Sequence, residues 1–402
     1  MRSRRIIKRL DSSPKRCHPL KIGFLSYANI DSAAGIEYWL KDMILRLNSR
    51  NQISVLTMNA GTRRLNIKGF LRNRGITVDE IRVCIPGSSI PTPMGFVSLQ
   101  RFIKAQDVVF FLYCPGGLEM ATTLLQRTLH VPIIAGHTFP IKLYRETGNL
   151  RLIRRAYSIV LGDAGMKIGK HLAFHQAENV DLVNELHNLN LNQVFMLAAG
   201  VDARIYHPSK KSTTFTVLFL GRLELTKGVD LLPDLYFNLR NRLPDFKFSL
   251  VGEGSLSSVA KNLAVFPNVE WFGFASDEQK RSLLSKAHVL IAPSRAEALM
   301  HTGLEAMASG TPVIASDISG VREYIRDGEN GFLVKSKAEM VEKVLVVYEK
   351  WKAVTPYEEM SHNAEATAAN FDYDRVAPKF EAMFFSVVKK YREKCSRSRG
   401  QC

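Results

Sequence analysis

At 402 residues, with 46% hydrophobic and 23% charged side chains and 22 Phe, the sequence excludes a disordered chain and has material for two domain cores. Its five cysteines, Cys17, Cys84, Cys114, Cys395 and Cys402, are scattered and include no Cys-x-x-Cys pair, which argues against a disulfide framework and a zinc site and suits a reducing compartment. The net charge of +17 is lopsided: residues 1–160 hold 25 Lys and Arg against 9 Asp and Glu, the remainder 30 against 29, so the first half expects an anionic partner.

Residues 1–16 read as a basic tail. The opening MRSRRIIKRL lacks the long apolar core of a secretory signal, and no later run approaches a spanning helix. The expectation is a cytoplasmic protein, or one peripheral on the cytosolic face of a membrane. Leu20–Ala28 reads as a strand, followed by a small-residue loop. Gly35 opens a helix whose Ile36, Trp39, Leu40, Met43, Ile44 and Leu47 follow helical spacing, and Gln52–Met58 is a second strand. Strand, turn, helix, strand begins a doubly wound α/β fold, with the turn placed where ligands approach a helix N-terminus. A tight packing turn would have the same composition.

Thr62–Gly75 (TRRLNIKGFLRNRG) interleaves Arg63, Arg64, Lys68, Arg72 and Arg74 with apolar residues, and Lys142–Arg155 repeats the theme. Such segments suit an anionic bilayer or an exposed loop with solvated charges. Aromatic interleaving is thin, and no helix-turn-helix, zinc finger or RNP signature is present. Residues 62–74 and 142–155 are therefore expected to meet an anionic membrane surface, and no nucleic acid is expected. Further strands are Ile76–Val83, Asp107–Cys114 and Val131–His137, the last presenting His137 at its end.

In the second half, Thr216–Tyr236 (TVLFLGRLELTKGVDLLPDLY) reads as a strand ending at Gly221, then Arg222, with Lys227-Gly228 beginning a helix. Cations at a helix N-terminus suit a diphosphate. Phe248–Val251 and Val269–Phe274 are further strands, and Asp277–Ala287 is a helix. The organising stretch is His288–Ser316 (HVLIAPSRAEALMHTGLEAMASGTPVIAS). It holds a strand at Val289–Ala292, a loop carrying Glu297, a helix at Thr302–Ser309 ended by Gly310, and a strand at Val313–Ala315. Glu305 sits among Gly303, Leu304, Ala306, Met307 and Ala308, where a buried carboxylate costs several kcal/mol unless paired. Turns at Gly320 and Gly331 and a final helix at Arg375–Glu393 close the chain.

Glu297 and Glu305 seven residues apart, the upstream Gly-Arg…Lys-Gly, and Gly200-Val201-Asp202 before Tyr206-His207-Pro208 together resemble the retaining GT-B glycosyltransferases of the Glu-x7-Glu type, group 1. The resemblance implies two Rossmann-like domains facing a cleft: an acceptor domain at 17–200, a donor domain at 201–374, and a helix 375–393 crossing back to the first. It implies transfer of a sugar, with retention, from a UDP- or GDP-sugar to a glycan or lipid-linked acceptor. By the same resemblance Glu297 touches the donor sugar, Glu305 holds the ribose hydroxyls, Arg222 and Lys227 meet the diphosphate, and His137 faces the reacting sugar. Gly35, Gly273, Phe274 and the run Leu299, Met300, His301 and Thr302 would add donor contacts, largely through main chain. Departures are Ala298-Leu299-Met300 for Gly-Phe-Gly, Ala34-Gly35 for Gly-Gly, and Ala199 for Asn. With no Asp-x-Asp placed to hold a metal, the expectation is metal-independent, front-face transfer with no cofactor beyond the donor. Alternatives on the same fold are a non-catalytic nucleotide-sugar or nucleic-acid binder and a sugar-nucleotide epimerase.

Overall fold

The computed structural model describes residues 18–27, 29–31, 35–59, 65–84, 90–112, 117–137, 172, 174–188, 193–243, 245–297 and 299–399. The basic tail, Arg63, Arg64, Ala34, Ala298 and all of 142–155 lie outside that set. The chain divides into two compact units, residues 1–198 with 374–402 and residues 199–373.

The first unit is built on strands β1 (Lys21–Ser26), β2 (Gln52–Met58), β3 (Thr77–Ile81), β4 (Val108–Leu112), β5 (Ile133–His137), β6 (Phe174–Ala177) and β7 (Val194–Met196). They form one parallel sheet in the order β3-β2-β1-β4-β5-β6-β7. β4 (VVFFL) is buried at every position, as a central parallel strand covered on both faces requires. Helices α1 (Gly35–Leu47), α2 (Ile67–Arg72), α3 (Pro93–Lys104), α4 (Gly117–Leu129) and α5 (Val180–Asn188) supply the crossovers.

The basic segment at 62–74 does not behave as a surface helix throughout. Within α2, Ile67 and Leu71 are buried in the unit's core, and Lys68 is buried against Asp31 (3.3 Å) and Glu80 (2.9 Å). Arg72 spends its guanidinium on the Val78 carbonyl. Two of the apolar residues that suggested a bilayer, Ile67 and Leu71, thus serve the fold, and burial of Lys68 is tolerated because two carboxylates neutralise it.

Two residue ranges outside the expectations complete the list. β7 is an additional three-residue strand, and the last helix, numbered α13 (Tyr373–Arg399), extends further than its pattern suggests. As the resemblance implies, α13 belongs to the first unit: Phe380 and Phe384 pack with Trp39, Phe24 and Phe110 at centroid separations of 5.7–6.2 Å. Asn51 donates to the buried carboxylate of Glu381 at 2.8 Å.

The second unit carries β8 (Thr216–Leu220), β9 (Lys247–Val251), β10 (Val269–Trp271), β11 (Val289–Ala292), β12 (Val313–Ser316) and β13 (Gly331–Val334), all parallel in the order β10-β9-β8-β11-β12-β13. Its helices are α6 (Leu232–Arg240), α7 (Ser257–Leu263), α8 (Asp277–Lys286), α9 (His301–Ala308), α10 (Ser319–Arg322), α11 (Lys337–Lys352) and α12 (Thr355–Ala368). Two expectations are corrected here. No α-helix starts at Lys227: two 3-10 turns, Leu225–Lys227 and Val229–Leu231, come first, joined by Gly228 at φ 71°. Gly320 lies inside α10 and Gly331 begins β13, where a side chain would collide with the Val313 carbonyl. Among the described residues, no helix is long and apolar enough to cross a membrane.

Candidate active site

In a doubly wound sheet, ligands sit beyond the C-terminal ends of the strands where strand order reverses. In the second unit that point lies between β8 and β11, which pair directly through Val217↔Val289 and Leu218↔Leu290. The segments leaving those two strands carry Arg222, Lys227 and Glu297.

They are fastened together by main chain. Gly228 turns left-handed directly beneath Pro293; a Cβ there would lie 2.0 Å from the Pro293 carbonyl oxygen. The Arg295 amide donates to the Thr226 carbonyl at 2.8 Å, and its guanidinium forks onto Asp230 with two bonds of 2.7 Å. This brings the Lys227 ammonium to Oε1 of Glu297 at 2.5 Å, where the Ser294 hydroxyl also donates at 3.0 Å. Glu297 is buried, and the facing ammonium with the Ser294 hydroxyl offsets the cost of placing a carboxylate there.

A second acid-base pair lies one helix away. Glu305, inside α9, accepts from the Lys280 ammonium of α8 at 2.6 Å through Oε1. Its other oxygen, Oε2, is buried and has no hydrogen-bond partner among the described residues. His301 opens α9, and its pKa is lowered to about 4 by burial, then by the charges of Lys280 and Lys227. Its imidazole is neutral at pH 7, and the charges of both lysines act on it.

The remaining donor candidates are placed as follows. Leu299 and Met300 bury their side chains, so any ligand contact there is through main chain. Thr302 is partly buried in the first turn of α9. Gly273, at φ 59°, follows β10 and receives the Gly252 amide at 2.7 Å; Phe274 beside it is 41% exposed. Arg222 leaves the same sheet edge but is exposed, and no hydrogen bond or ion pair joins its side chain to Lys227 or to either glutamate.

In the first unit, Gly35 is the first residue of α1. His137 ends β5 buried, its Nε2 3.1 Å from Nδ1 of His175 on β6. Burial and then the neighbouring His175 hold its pKa well below the usual imidazole range. It is a neutral hydrogen-bonding group at pH 7.

Residues 204–367 match the family described as "Glycosyl transferases group 1". That match covers most of the second unit. The D-inositol 3-phosphate glycosyltransferase of Paenarthrobacter aurescens is 28% identical over 333 residues, 75% of this chain and 76% of the relative. An uncharacterized glycosyltransferase of Methanocaldococcus jannaschii is 32% identical over 167 residues, and there the match spans 40% of this chain and 46% of the relative. Among solved structures, Anabaena Alr3699/HepE in complex with UDP aligns with a TM-score of 0.71 at 18% identity, covering 91% of this chain and 100% of that one. The likeness is one of fold: the two parallel-sheet units of this chain are those of GT-B.

Three site residues were not signalled by the motifs. Lys280 sits on a polar helix, 25 residues before its partner. Ser294 reads as part of a Pro-Ser strand stop. Tyr324, buried after α10, donates to the Met300 carbonyl at 3.1 Å, and burial followed by the Glu297 charge raises its pKa well above the usual phenol range. Gly303 makes room for it, since a Cβ there would lie 2.2 Å from the Tyr324 oxygen.

Proposed function

We propose that the protein transfers a sugar from a nucleotide diphosphate donor, a UDP- or GDP-sugar, to an acceptor hydroxyl with retention at the anomeric carbon. The observation that carries this is the Lys227–Glu297 pair at the sheet's switch point, 2.5 Å apart, with Lys280–Glu305 on the adjoining helix. An ammonium beside a carboxylate supplies a diphosphate contact and a sugar-hydroxyl contact in adjacent positions. Glu305 would hold the ribose, and the first amides of α9 would point at phosphate oxygens.

In the front-face reaction the C1–O bond to the diphosphate breaks, and the acceptor oxygen bonds to C1 on the same face. The acceptor's proton passes to the departing phosphate oxygen. Lys227 and exposed Arg222 would stabilise the charge that grows on the diphosphate, so no divalent ion is required, and chelator is expected to leave the rate unchanged. His137, neutral at pH 7, is suited to hydrogen-bonding sugar rather than to serving as a charged acid.

The acceptor we favour is anionic or lipid-linked. The net +16 of residues 1–160 supports this, as does a relative named for a phosphorylated inositol. A cytoplasmic protein peripheral on an anionic membrane is consistent with exposed Met94 and Val97 on α3 and Met120 and Leu124 on α4, with Arg101, Lys104 and Arg127 exposed on the same helices. Salt-sensitive co-sedimentation with anionic but not neutral vesicles tests that placement.

The reaction itself is tested by nucleotide-sugar turnover with a hydroxyl acceptor. Glu297→Gln is expected to lower transfer at least about a hundredfold, near 3 kcal/mol of barrier, while nucleotide binding persists. Near-normal transfer by this variant would remove Glu297 from the reaction. Donor conversion without any acceptor would favour the epimerase instead.

A further inference from the structure

Lys280 lies outside every motif that marks the site, yet it makes the shortest contact to Glu305. Its ammonium is 2.6 Å from Oε1, with only 17% of the lysine side chain and 12% of the glutamate side chain exposed. This is not a solvated surface pair of the kind that contributes little. The ammonium also stands 5.5 Å from the centroid of the Tyr206 ring, which steadies it from a second direction. The result is an asymmetric carboxylate. Oε1 is engaged, whereas Oε2 is buried and without a partner among the described residues. A buried acceptor left unsatisfied is costly, the more so when charged. A ligand hydroxyl arriving at Oε2 removes that cost.

We infer that Lys280 is the positioning residue that fixes Glu305 with one oxygen turned to the ligand, and that discrimination for a ribose over a deoxyribose depends on it. The inference rests on the donor-site reading above. Without the ammonium, Glu305 is free to rotate, and its two oxygens become interchangeable toward water. A 2′-hydroxyl would then be recognised only weakly. His301, which faces both Lys280 and Lys227 and is neutral at pH 7, does not replace the lost charge.

The test is calorimetric titration of the full chain with UDP, GDP and their 2′-deoxy counterparts. The wild type is expected to bind one ribonucleoside diphosphate at least about tenfold tighter than its 2′-deoxy form, the difference of one well-made hydrogen bond to a charged group. K280M is expected to reduce that ratio at least fivefold, and K280R, which keeps both charge and donor, to recover most of it. A wild-type ratio in K280M, or an equal loss of affinity for both sugars, would overturn the role of Lys280 while leaving the donor site standing. An unrecovered ratio in folded K280R would also overturn it. Binding of none of the four nucleotides by the wild type would instead overturn the reading on which the inference rests.

Discussion

At the scale of single residues, the sequence displays the anomalous groups but not their pairings. Glu305 stands out because an apolar small-residue helix has no other use for a carboxylate, and Lys227 because it borders a glycine after a strand. Which cation meets which anion depends on backbone fastening that spacing does not reveal. Thus Arg222 and Lys227 look equivalent in sequence, whereas only Lys227 touches a glutamate, and Lys280 gives no motif at all. Tyr324 was equally hidden, since a tyrosine after a short helix is ordinarily core. Its bond to the Met300 carbonyl fixes the peptide leading into α9. Tyr324→Phe leaves that buried carbonyl one donor short, so a loss of about 1 kcal/mol in urea denaturation is expected, together with a several-fold rise in donor KM. An unchanged KM would show that packing alone holds the loop.

At the scale of elements, strands were the legible part. β4 and β11 fall where continuous apolar runs place them, because a parallel strand covered on both faces carries little else. Helices fared less evenly. α3 follows Thr92-Pro93, a cap and first-turn signature, and Thr92 does accept from the Gly95 amide; its internal glycine obscured the pattern. α2 was read for its charges, while its apolar residues decided which way it faces. The turn at Lys227-Gly228 shows how tertiary constraint overrides a helical pattern: contact with Pro293 demands φ 71°, and a helix cannot supply it. Gly228→Ala is accordingly expected to cost about 2 kcal/mol or more, read as a lower urea midpoint, and to depress transfer by displacing Lys227. Wild-type stability in this variant would mean that Pro293 yields easily and that the turn is not what positions the lysine.

At the scale of the whole molecule, the two-domain α/β plan was readable from alternating strands and helices. The destination of the positive charge was not, because two of the three described basic residues at 62–74, Lys68 and Arg72, are held by groups of their own unit. Titration adds a global expectation. His175, His288 and His301 have pKa values lowered to about 4 from 6.5, each chiefly by burial, and His137 is lowered well below 6.5. Between pH 6.5 and 4 the unfolded chain therefore binds protons that the folded chain refuses, and stability falls on acidification, by up to about 3 kcal/mol each for buried His175 and His288. Glu178 acts oppositely: burial raises its pKa to about 8 from 4.5, so its contribution grows as pH falls from 8 to 4.5. Four imidazoles outweigh one carboxyl, and Tm is expected to be lower at pH 5 than at pH 7. Equal Tm values would mean that those imidazoles are not held neutral. The central claim is that Lys227 and the two glutamates form a binding site for a nucleotide diphosphate. It is tested most directly by titrating UDP and GDP into the wild type and Lys227→Ala. At least one nucleotide is expected to bind the wild type, and to bind the variant at least about tenfold more weakly, a difference of about 1.4 kcal/mol. Failure of both nucleotides to bind the wild type, or equal affinity in the variant, would contradict the account.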